Sequence, residues 1–160
     1  MRGVWFLTGL AGAAALALAT GAAEAQSENV LINTDRQGLA IQGYDPVAFF
    51  TEGKPVKGTP EFQLHHGGGI YHFASEAHRE AFRQDPAKYE PQFGGFCAWA
   101  VSRGYTASVE VATGQVVDGR LIFNYSRAVQ RRFNEDPRGN LAKADRNWPG
   151  LVEKEGKAPS

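Results

Sequence analysis

The chain predicts a small α+β single domain with two β-hairpins and several short helices. Three observations carry that expectation. Short alternating apolar runs flank Gly67-Gly68-Gly69 and again flank Asp118-Gly119, and glycine-rich or Asp-Gly pairs between such runs make tight hairpin turns. Ser75, Ser126 and Asp136-Pro137 each stand directly ahead of a helix-periodic stretch, where N-caps and first-turn prolines belong. The 160 residues, less a leader at the N-terminus, are about one domain long and bury an ordinary core.

In chain order, residues 1–25 read as a signal peptide. Arg2 supplies a positive start, residues 4–19 are apolar and small, and Ala23-Glu24-Ala25 has the small-x-small pattern of a cleavage site. Residues 26–37 are a polar, flexible lead-in. The domain is expected over 38–150, with a short strand at 39–43. Asp45 then serves as an N-cap, with Pro46 at the first helical position. Residues 61–73 form the first hairpin, and Ser75 caps a helix over 76–84 that Pro86 limits. On that helix His78 shares a face with Phe82. A helix over 96–103 begins beside Gly94-Gly95. Residues 115–123 form the second hairpin, Ser126 caps a helix to about 135, and a last helix buries Leu141 and Ala144. Residues 151–160 are a charged, frayed tail. No internal repeat is visible.

Charge and composition exclude some functions. Seventeen basic and seventeen acidic residues balance to zero, so no clustered basic excess marks a nucleic-acid partner. Arg127, Arg131 and Arg132 read as a solvated helix face. The leader implies export to the periplasm or outside the cell, with no membrane association once it is removed. Export also implies an oxidising compartment. Yet Cys97 is the single cysteine, so no internal disulfide forms. A leftover thiol in an exported protein is reactive, paired with another molecule, or sealed in the core. A place in the first turn of a helix would expose Cys97 to unpaired N–H groups and lower its pKa; burial would do the reverse.

The runs Gly43-Tyr44-Asp45-Pro46-Val47-Ala48-Phe49-Phe50, Tyr71-His72-Phe73-Ala74-Ser75 and Pro91-Gln92-Phe93-Gly94-Gly95-Phe96-Cys97-Ala98 resemble the secreted YHS-domain family. So do residues 118–126 and the closing Ala144-Asp145-Arg146-Asn147-Trp148-Pro149. Some members of that family are selenoproteins, and selenium at the position of Cys97 would imply redox or soft-metal chemistry there. Related modules fused to heavy-metal pumps look like metal-binding units built on three cysteines. Here Ala48, Ala74 and His78 stand at those positions, which leaves no four-thiolate zinc site.

Three functional readings share these residues. In the first, a soft metal such as copper, or zinc, is held by the Cys97 thiolate with the imidazoles of His72 and His78, a mixed sulfur–nitrogen set suited to either ion. The partner is then the metal ion or a metal-handling protein. In the second, Cys97 is the catalytic thiol of a redox protein that exchanges with disulfides or reduces peroxides, resolved by an external thiol. In the third, the protein is a non-catalytic partner-binding domain with an inert buried cysteine. His65 and His66 are further donors near the hairpin turn, on opposite faces of a strand. The many aromatic residues fill the core or line a ligand pocket.

Overall fold

A computed structural model describes residues 29–158. The signal-peptide reading over 1–25 lies outside the described residues. The elements are α1 (Ala48–Thr51), β1 (Thr59–His66), β2 (Gly69–Phe73), α2 (Glu76–Gln84), α3 (Pro86–Tyr89), α4 (Ala98–Ser102), β3 (Glu110–Val117), β4 (Arg120–Asn124), α5 (Arg127–Phe133) and α6 (Pro137–Glu155). Each hairpin is an independent two-stranded antiparallel sheet. The expected α+β class is therefore what the chain adopts.

The hairpins form for the reasons their turns suggest. Gly67 and Gly68 have φ of 56° and 82°, and Asp118 and Gly119 have 48° and 76°. Two successive positive φ values match the twist of the flanking strands. Ser75 and Ser126 accept hydrogen bonds from the backbone N–H groups of His78 and Val129, which starts α2 and α5 where the serines predict. Phe82 and Phe133 then point into the core with no exposed surface.

The sequence hides a repeat that the structure makes plain. A tight turn with three positive φ values, Ile41-Gln42-Gly43 at 42°, 54° and 76°, recurs as Phe93-Gly94-Gly95 at 55°, 57° and 77°. Each turn leads into a short helix, α1 or α4, then a hairpin with an irregularity near its open end, then a serine-capped helix. In each copy an aspartate-proline pair follows, with Asp85 accepting from the N–H of Lys88 and Asp136 from that of Gly139. The Asp45 and Cys97 N–H groups donate to the carbonyls of Val56 and Ala107, each at 2.9 Å. The molecule is thus two copies of one hairpin-and-helix unit, and Asp45 and Cys97 occupy equivalent places.

Three local expectations change. Residues 39–43 make isolated bridges from Leu39 and Ala40 and then the positive-φ turn, not a strand. The lead-in is tied down: the Val30 N–H donates to the Lys157 carbonyl at 2.8 Å, and the Asn33 N–H to the Gly94 carbonyl at 2.8 Å. The tail expected from residue 151 is the last turn of α6, which packs Leu151 into the second core cluster. That burial outweighs the charge of its neighbours and extends the helix. No helix among the described residues is long and apolar enough to cross a membrane.

Candidate functional site

The first copy builds its site around Asp45. The residue has no exposed surface, and a buried carboxylate must find donors for its lone pairs. Its Oδ1 accepts from the N–H of Val47 at 2.8 Å and of Ala48 at 3.3 Å. Its Oδ2 accepts from the N–H of Ala74 at 2.9 Å. The fourth partner is His78, whose Nδ1 lies 2.6 Å from Oδ2. The N-cap of α1 is Val47 and not Asp45 as expected; Asp45 instead holds the turn that enters α1 and joins it to the end of β2 and the start of α2.

This contact sets the state of the His78 ring. A carboxylate only accepts, so Nδ1 carries the proton and donates. In the neutral ring Nε2 then keeps its lone pair. The side chain remains 20% exposed. The result is an oriented imidazole with one free basic nitrogen. The same arrangement serves as a metal ligand or as a proton acceptor.

His72 sits elsewhere. It pairs with Gln63 across the first hairpin, on the face opposite Tyr71 and Phe73. Gly58 packs so closely on the His72 backbone that a Cβ there would collide with it. Burial, and then the nearby Lys57 ammonium, push the His72 pKa below the ordinary histidine value, with Asp35 opposing. That ammonium also repels any cation near the ring.

Cys97 overturns the expectation of a lowered pKa. It is 1% exposed and is the N-cap of α4, one residue ahead of its first turn. Its Sγ accepts from the N–H of Tyr125 at 3.2 Å and lies 3.9 Å from Asn124 Oδ1. Burial raises the thiol pKa, and this outweighs the N–H groups of Ala100, Tyr125 and Trp99, which act to lower it. No arginine is among the groups that act on the thiol: Arg79 pairs with Glu76, and Arg103 lies over the Trp99 ring. A helix of five residues also has too few aligned peptides for a strong dipole.

Among the described residues no three of His, Cys, Asp and Glu come together in a group that could hold a metal ion. The set of Cys97, His72 and His78 is therefore not assembled. The cysteine faces the core, and His72 lies beside a lysine. Of the three, His78 alone has a free donor held in place by a buried partner. Sequence reasoning found His78 but missed Asp45 as its partner, because 33 residues separate them. The Asp-Pro pair signalled only a helix cap.

No curated protein and no solved structure matches the chain. Residues 47–92, from α1 through α3, match the family model of the YHS domain, so this stretch, which holds His72 and His78 but neither Asp45 nor Cys97, is similar to that family.

Proposed function

We propose that the protein is an exported YHS-like domain that handles a metal ion such as copper, with His78 as the donor it presents. The observation that supports this reading is the contact between Asp45 and His78. A carboxylate hydrogen-bonded to the far nitrogen of an imidazole fixes the ring and raises its basicity as a ligand. Imidazole suits copper and zinc alike. One such donor leaves the other coordination positions to water or to a metal-handling partner. That is the arrangement of an exchange site rather than a storage site. Cys97 has no part in it as a donor, since its sulfur is closed in and already accepts a hydrogen bond.

The test is a titration of the purified protein with Cu(II) and Zn(II), followed through the imidazole nitrogens by NMR. The His78 Nε2 signal should shift first. His78→Ala should weaken binding at least about tenfold, or about 1.4 kcal/mol, and Cys97→Ser should leave it unchanged. A parent protein that binds neither metal, or a His78→Ala variant that binds as well as the parent, overturns the reading. Export is part of the proposal and rests on the apolar leader and Ala23-Glu24-Ala25. An intact mass of native protein that starts near Gln26 supports it, and one that retains Met1 contradicts it.

A further inference from the structure

The two copies leave an open cleft of about 870 Å³ where the N-terminal strap, the first hairpin turn, the segment joining the copies and α6 meet. The strap is fastened at both ends, by Val30 to Lys157 and by Asn33 to Gly94. Gly94 has no room for a Cβ, because the Leu31 carbonyl lies against it. The cleft is thus a built feature held by backbone hydrogen bonds, and its volume suits a small molecule. His78, His72 and Cys97 do not line it.

Its walls differ in character. One is aromatic: Phe93 and Trp148 meet edge to face at 6.0 Å between ring centroids. The other is acidic. Glu90, Asp145 and Glu153 line the cleft against one guanidinium, that of Arg120. Arg120 is spent on Asp145, to which it donates at 2.9 and 2.6 Å. Glu90 has only the His66 ring, 3.0 Å away and charged only if protonated. Glu153 has no ion pair among the described residues. Tyr71 is 3% exposed and lines the cleft, and its hydroxyl is not among the buried polar atoms left without a partner, so it opens to solvent there.

We propose that this cleft binds a small organic ammonium ion with an apolar body. The excess of carboxylate gives the cleft a negative potential that attracts cations. The Trp148 ring adds to that attraction, because the ring quadrupole is negative above and below the plane, whereas the Phe93 face is already covered by the Arg120 guanidinium, 5.5 Å from its centroid. The Tyr71 hydroxyl, held as the neutral phenol by burial and by the Glu90 carboxylate, accepts an ammonium N–H. An anion meets repulsion at the same wall. A neutral body of equal shape gains the aromatic contact and nothing from the charge.

Three probes share one body and differ in charge: phenethylammonium, phenethyl alcohol and phenylacetate. Each is titrated into the purified protein with a chelator present, so the outcome is independent of any metal at His78. The readout is the Trp148 indole N–H and the Gly67 amide in NMR spectra. The ammonium should shift both signals and bind at least tenfold more tightly than the alcohol, with phenylacetate weakest. A Glu90→Gln, Glu153→Gln variant should bring the ammonium down to the affinity of the alcohol and leave the alcohol unchanged. Equal affinity for ammonium and alcohol, tighter binding of phenylacetate, or no shift from any probe at millimolar concentration overturns the proposal.

Discussion

In the first copy of the repeat, a nest of backbone N–H groups holds the Asp45 carboxylate, which reaches on to His78. In the second copy the equivalent nest holds the Cys97 thiol, whose sulfur accepts from the Tyr125 N–H and lies 3.9 Å from Asn124 Oδ1. The donors correspond: Ala74 in one copy and Tyr125 in the other, each just ahead of a capping serine. What differs is the helix that follows. α2 carries His78 toward the nest, whereas α5 carries Val129 at the matching cap position. The buried carboxylate that accepts from His78 Nδ1 leaves its partner oriented for chemistry. A thiol in the same cradle, without a charged partner, stays protonated and becomes packing. The backbone prepares an acceptor site in both copies, and the side chains decide whether anything reactive faces out.

The largest effect expected tests whether the copies carry equal structural weight. Phe82 and Phe133 are equivalent and fully buried. Phe82→Ala and Phe133→Ala should each cost about 3–5 kcal/mol, the usual range for emptying such a site. Urea unfolding measures both. A loss confined to one variant would show that one copy folds without leaning on the other.

The next test separates the two nests. Asp45→Ala leaves the N–H groups of Val47, Ala48 and Ala74 and the His78 ring without their acceptor, so it should cost about 3–5 kcal/mol, since each buried donor left unsatisfied costs about 1–3 kcal/mol. Cys97→Ala removes a weak sulfur acceptor from a small volume and should cost about 1–2 kcal/mol. Equal losses in urea unfolding would mean that the thiol is as much a structural acceptor as the carboxylate.

A smaller, pH-dependent effect follows from the thiol. Its folded pKa lies above the ordinary value of 9.0, so folding favours the protonated form. That contribution is fully present below 9.0 and is lost as pH rises through the folded pKa. Stability should therefore fall between about pH 8 and about pH 10 by more in the parent than in Cys97→Ser, which removes the thiol and leaves Tyr71 in place. Iodoacetamide should label Cys97 slowly in the native protein and rapidly in denaturant. Fast native labelling at neutral pH would sink the picture of a sealed thiol.

The smallest effects concern the caps. Ser75→Ala and Ser126→Ala each remove one N-cap hydrogen bond and should cost about 1 kcal/mol apiece, read as a shift in the urea midpoint. If Ser75→Ala also broadens the His78 imidazole signals while Ser126→Ala does not, the cap of α2 helps to hold the ring on Asp45.

Much of the site was written in the residues and still not readable as a site. His78 stood out because it shares a helix face with Phe82, and Cys97 because it is the single cysteine. Their contributions then diverged through contacts that spacing does not reveal. Asp45 reaches His78 across a whole hairpin. Burial at Cys97 comes from β4, where the residue forms a parallel bridge with Phe123. One polar atom of that neighbourhood, Asn124 Nδ2, is buried with no partner among the described residues, whereas the matching strand position in the first copy is the apolar Phe73.

Local chemistry alone determined the turns, the caps and the hairpins. A positive φ, a missing N–H or a serine oxygen acts within a few residues, so Asp118-Gly119, Ser75, Ser126 and the two aspartate-proline pairs can be read directly. The sequence also determined the apolar periodicity that makes the fold α+β. Only the tertiary structure decided that the chain repeats itself, because the copies share backbone geometry while few side chains recur. It alone decided the titration of Cys97 and the orientation of His78. Desolvation and a buried carboxylate are properties of what surrounds a group in space, and those surroundings come from elements far apart along the chain.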